Sequence, residues 1–93
     1  MARLIKDNRK QLSDDEFIEM KISEVPTSAL FPQGIKYSLS YVKGGNCILR
    51  YDNEMTKGHH MHFLDKEKKI EFTDVDALIE KFEAHIERLR RRG

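Results

Sequence analysis

A chain of 93 residues, 39% apolar and 35% charged, with a net charge of +1, has material for one modest core, because a chain this short buries only roughly 60–65% of its extended surface. No apolar run approaches the roughly 20 residues needed to cross a bilayer, no apolar segment of secretory type follows Met1, and the single Cys47 has no partner for an internal disulfide. These features predict one domain over residues 1–93, placed in the cytoplasm and not in a membrane, that would gain from burying further surface as a homodimer.

In chain order, Ala2 to Lys6 and Phe17 to Val25 read as an N-terminal hairpin around a loose polar loop from Asp7 to Asp15. The second strand is the clearer, because Ile18, Met20 and Ile22 alternate with Glu19, Lys21 and Ser23 at the period of two that a half-buried strand shows. Pro26 ends it, since proline cannot donate to a ladder, and Thr27 to Gly34 follows as a loop.

Ile35 to Lys43 and Asn46 to Asn53 flank Gly44-Gly45, the signature of a hairpin closed by a two-residue turn with positive φ at both central positions. That turn sets Tyr41 opposite Ile48, Leu39 opposite Arg50 and Tyr37 opposite Asp52, with Val42, Cys47, Leu49, Tyr51, Ser38 and Ser40 on the other face. Neither face is purely apolar, so an exposed tyrosine face is expected, as ordinary surface or as a docking surface.

His59 to Leu64 reads as a short strand with His59, Met61 and Phe63 toward the core and His60 and His62 projecting together from the other side. Asp65 to Lys68 reads as a charged turn and Lys69 to Phe72 as a last strand. Thr73 is the expected cap of a helix whose Val75, Leu78, Ile79, Phe82, Ile86 and Leu89 form one apolar stripe, with His85 beside it in a structural role. The fold class is therefore α+β, an antiparallel meander of about five or six strands under one C-terminal helix.

Function is sought where ionisable groups crowd, from Arg50 to Phe63. Cleavage of RNA through its 2′-hydroxyl needs a base, an acid and cations for the phosphorane charge. His60 and His62 fit the first two roles, Arg50 and Lys57 the third, and Asp52 fits as the residue that orients a histidine or pairs with Arg50. As a bland alternative, Arg50 and Asp52 form an ordinary surface ion pair worth about 0–1 kcal/mol. Only two histidines converge by periodicity, and there is no second cysteine, so no metal or other cofactor is expected; a zinc- or nickel-dependent hydrolase stands as a third reading. Further RNA contacts are expected from Lys36, Tyr37, Tyr51, Arg88 and Arg90. Basic residues concentrate at the two ends, Arg3, Lys6, Arg9 and Lys10 at one and Arg88 and Arg90 to Arg92 at the other, and would form one patch if the ends meet. The arginines also complement the negative end of a helix dipole.

Tyr37 within Lys36-Tyr37-Ser38-Leu39-Ser40-Tyr41, the Arg50-Tyr51-Asp52-Asn53-Glu54 run, Lys57-Gly58-x-His60-x-His62 and the helix Asp76-Ala77-Leu78-Ile79-Glu80-Lys81-Phe82 together resemble the TumE-like proteins of prokaryotic toxin–antitoxin systems. The resemblance spans almost the whole chain. It implies a small cytoplasmic toxin, paired with a helix-turn-helix antitoxin and acting on RNA or translation. The family block falls on Arg50, Tyr51, Asp52, Asn53, Lys57, Gly58, His60 and His62. Members usually carry Asp immediately before the first histidine; this chain has His59 there, so the ion pair or orienting bond of that carboxylate is missing. A non-catalytic protein- or RNA-binding module is the alternative function.

Overall fold

The computed structural model describes residues 3–54 and 58–92, which form six strands and one helix. The strands β1 (Arg3–Ser13), β2 (Glu16–Glu24), β3 (Ile35–Lys43), β4 (Asn46–Glu54), β5 (Gly58–Phe63) and β6 (Lys66–Lys69) make one antiparallel sheet in chain order, and α1 (Val75–Arg92) follows. The expected meander and terminal helix are both present.

The core lies between α1 and one sheet face. The alternation in β2 puts Ile18, Met20 and Ile22 there, joined by Tyr37, Leu39, Tyr41, Leu49 and Tyr51 from the central hairpin. Leu78, Phe82 and Ile86 of the helix stripe close over them. Tyr51 meets the Phe82 ring edge-on with centroids 5.2 Å apart, the arrangement that the charge distribution of aromatic rings favours. α1 is capped by Asp74 and not by the expected Thr73: Asp74 Oδ1 accepts the Ala77 backbone N–H at 2.8 Å, satisfying an amide that the first turn leaves without a partner.

Three further local expectations are corrected. First, β1 continues through the polar stretch to Ser13 and turns tightly at Asp14-Asp15, because its exposed edge position asks for no apolar alternation. Second, β6 occupies Lys66–Lys69, ahead of the apolar Ile70 and Phe72, which pack against the core from outside the strand. Leu64, at φ 55°, makes the preceding turn.

The third correction decides the site. Gly44 and Gly45 take positive φ as expected, at 59° and 79°, but a bulge between Tyr41 and Val42 on one side and Cys47 and Leu49 on the other leaves Ile48 as an extra residue. Beyond it the register is Tyr41 with Leu49, Ser40 with Arg50, Leu39 with Tyr51 and Ser38 with Asp52. One extra residue exchanges every later side chain between faces. The three tyrosines thus share the core face at 2–3% exposure, and the expected exposed tyrosine face does not exist.

Candidate functional site

The same register assembles the polar residues on the face that α1 does not cover. Cross-strand neighbours there run Ser38, Asp52, His60, Lys69 in one row and Ser40, Arg50, His62, Glu67 in the next. Directly opposed residues on antiparallel strands are about 4.5–5.5 Å apart, so two residues from β4 and two from β5 form one contiguous patch.

Within it, Asp52 is the hub. Its Oδ2 lies 2.9 Å from Arg50 Nε, and its Oδ1 lies 2.9 Å from His60 Nε2. The His60 ring is held from behind by the Gly58 carbonyl oxygen, 2.8 Å from Nδ1. His62 meets the His60 ring edge-on, with centroids 4.7 Å apart, and its Nδ1 lies 3.3 Å from Glu67 Oε2. Exposure divides the four: the Arg50 and His62 side chains are 47% and 33% accessible, those of Asp52 and His60 only 4% and 2%. Solvent therefore meets Arg50 and His62 first, over a buried carboxylate and imidazole.

Asn53 has a mechanical part in this. Its Oδ1 accepts the Tyr37 backbone N–H at 2.9 Å and its Nδ2 donates to the Ile35 carbonyl at 2.7 Å. It thereby stitches the end of β4 to the start of β3 where the regular ladder has stopped, and so fixes the backbone next to Asp52.

The remaining expected site residues that the structure describes lie elsewhere. Lys57 lies outside the described residues. Lys36 is exposed on β3, across from Ser23. Tyr37 and Tyr51 are core residues whose hydroxyls bind histidines, Tyr37 to His59 Nδ1 and Tyr51 to His85 Nδ1, each at 2.9 Å. Burial pushes both phenols above their ordinary range, with the Asp52 charge adding to it at Tyr37. As expected, His59 points away from the patch: its ring lies parallel to Phe72 at 4.7 Å and to Tyr37 at 5.6 Å. Burial, with the neighbouring His60 second, lowers the His59 pKa.

The two ends of the chain do meet, with Lys10, Arg90 and Arg91 lining one cavity of about 540 Å³ on the helix side of the sheet. That basic group is separated from the Arg50 patch by the sheet itself. Arg90 is also committed, its Nε 3.0 Å from Glu16 Oε1, whereas Arg88 is exposed on α1. Sequence reasoning missed Glu67 as a neighbour of His62; placing β6 over Lys66–Lys69 would have revealed it by cross-strand alternation.

An exposed arginine and a half-buried histidine above a buried carboxylate–imidazole pair, on the open face of a meander covered by one helix, define a small α+β protein with its polar site on the sheet. The family model described as toxin TumE matches residues 1–90, and the chain belongs to that family, which supports a toxin role. Comparison with curated proteins and with solved structures gives no match. No helix among the described residues is long and apolar enough to cross a membrane.

Proposed function

We propose that the chain is the toxin of a toxin–antitoxin pair and acts on RNA as a metal-independent endoribonuclease, countered by a helix-turn-helix antitoxin. The observation that carries this reading is the convergence of Arg50, Asp52, His60 and His62 in one patch of the open sheet face. His62 is the accessible group that takes the 2′-hydroxyl proton. The freed oxygen attacks phosphorus, giving a 2′,3′-cyclic phosphate and releasing the 5′-oxygen, which picks up a proton; His60, ring to ring with His62, is the nearest further donor. Arg50, and Lys57 with it, binds the phosphate and balances the charge that develops on it. Asp52 holds Arg50 and His60 in place.

The test is RNA cleavage by purified chain in excess chelator. His62→Ala is expected to lose activity by about 10²-fold or more, the scale on which one acid–base group acts, and Arg50→Ala by a similar factor. Unchanged cleavage in both variants would discard the reading. The non-catalytic alternative gains nothing from the tyrosines, which are buried. Growth arrest in a bacterial host that is relieved by removing residues 90–93 but not by His62→Ala would support it.

A further inference from the structure

The contact between Asp52 and His60 has a requirement that the proposed cleavage leaves unexplained. The Gly58 carbonyl oxygen only accepts, so a hydrogen bond to it at 2.8 Å places a proton on His60 Nδ1 and leaves a lone pair on Nε2. That lone pair faces Asp52 Oδ1 at 2.9 Å, an oxygen that also only accepts when ionised. Two lone pairs so close repel unless a cation sits between them, either a second proton or a metal ion. Asp52 Oδ1 and Oδ2 and His60 Nε2 are moreover buried, and none makes a well-formed hydrogen bond among the described residues. Buried polar atoms in that condition call for an explanation.

We propose that Asp52, His60 and His62 bind one divalent transition metal ion of the zinc class. One donor atom from each of the three lies within 4.8 Å of the others. Two imidazoles and a carboxylate are a donor set that zinc accepts, and three protein ligands leave a fourth position open, here toward the solvent that His62 already meets. At metal–ligand distances of about 2.0–2.2 Å the donor atoms would stand about 3–3.5 Å apart, so Asp52 and His60 need separate only slightly while His62 turns inward. The outer contacts are those that orient metal ligands: the Gly58 carbonyl on His60 Nδ1, Arg50 on the second carboxylate oxygen, and Glu67 beside His62 Nδ1. Binding of the ion stands on this geometry alone. On the cleavage reading, the ion would occupy a nitrogen of His62 and so inhibit the reaction.

The experiment titrates the metal-stripped full chain with Co(II), follows its visible d–d absorption, and then displaces it with Zn(II), whose stoichiometry is read by native mass spectrometry. The expected result is one ion per chain, with affinity falling at least about tenfold in His62→Ala, a variant at a partly exposed position. Cys47→Ser removes the one thiol and is expected to leave binding unchanged. Absence of Co(II) absorption, equal binding by His62→Ala, or loss of binding in Cys47→Ser would each overturn the proposal. None of these readouts involves RNA, so failure of the metal site and failure of the nuclease reading are told apart.

Discussion

Asp52 Oδ1 stands 2.9 Å from His60 Nε2 with both side chains buried, on the face of the sheet that the helix leaves uncovered. Removing Asp52 takes from the buried His60 Nε2 the oxygen it faces, and leaving a buried polar atom without a partner costs about 1–3 kcal/mol. Asp52→Ala is therefore expected to lower stability more than Arg50→Ala, whose side chain is 47% exposed and whose pairing with Asp52 is worth about 0–1 kcal/mol. Urea denaturation of both variants checks the order; equal losses would show that the burial of Asp52 and His60 has no energetic consequence.

How the pair comes to exist shows what the sequence conveyed and what it concealed. Alternation in β5 correctly put His60 and His62 on one side and His59 on the other, and the helix stripe was plain, because both follow from periodicity within one element. The Gly44-Gly45 turn was legible too, but it predicts register only as far as the ladder stays regular. Ile48, an ordinary β-branched residue, carries no local mark of a bulge, yet it moves Arg50 and Asp52 to the open face and Tyr51 to the core face that Tyr37 and Tyr41 share. Burial of His60 was equally hidden, since it depends on what neighbouring strands place around it and not on its own pattern.

Acid is expected to weaken the chain through Glu16. Hydrogen bonds from Ser13 Oγ, Tyr41 Oη and Arg90 Nε hold its carboxylate ionised, lowering its pKa from 4.5 to about 2. A carboxylate whose pKa is depressed by folding adds stability that is fully present above the unfolded value and is lost as pH falls from there through the folded value. The window is thus pH 4.5 down to about 2. Denaturant midpoints measured across it should decline, and Glu16→Gln should flatten that decline while lowering stability at neutral pH. An identical pH dependence in the variant would count against the assignment.

Leu64 is strained and badly placed for its type. It sits at φ 55° in the turn between β5 and β6 and is 62% exposed. Left-handed backbone costs a non-glycine residue about 1–2 kcal/mol, and little burial of this leucine offsets it. Leu64→Gly or Leu64→Asn is expected to stabilise by about 0.5–1 kcal/mol after the greater freedom of the unfolded chain is counted for glycine. Thermal melting provides the check, and a fall in Tm for both variants would mean that Leu64 packs against something that its exposure conceals.

His59, which stands where the resemblance led to the expectation of an Asp, tests whether that position belongs to the site or to the core. Its ring lies 4.7 Å from Phe72 and 5.6 Å from Tyr37, accepts from or donates to the Tyr37 hydroxyl at 2.9 Å, and reaches Gln33 Oε1 at 3.1 Å. Gln33 Oε1 only accepts, so His59 Nε2 donates to it and the neutral ring's Nδ1 accepts from the Tyr37 hydroxyl; one neutral tautomer satisfies the whole chain of contacts. An aromatic pair is worth about 0.5–1.5 kcal/mol beyond its area, and a hydrogen bond about 1 kcal/mol. His59→Ala should therefore cost about 2–3 kcal/mol by these terms. His59→Phe keeps the stacking and should cost about 1 kcal/mol, through the hydrogen bonds alone. Both should cleave RNA normally once assayed below their melting temperatures, because the ring faces the core and the Arg50 patch faces the other way. Loss of cleavage in a folded His59→Phe protein would move His59 from the core to the chemistry.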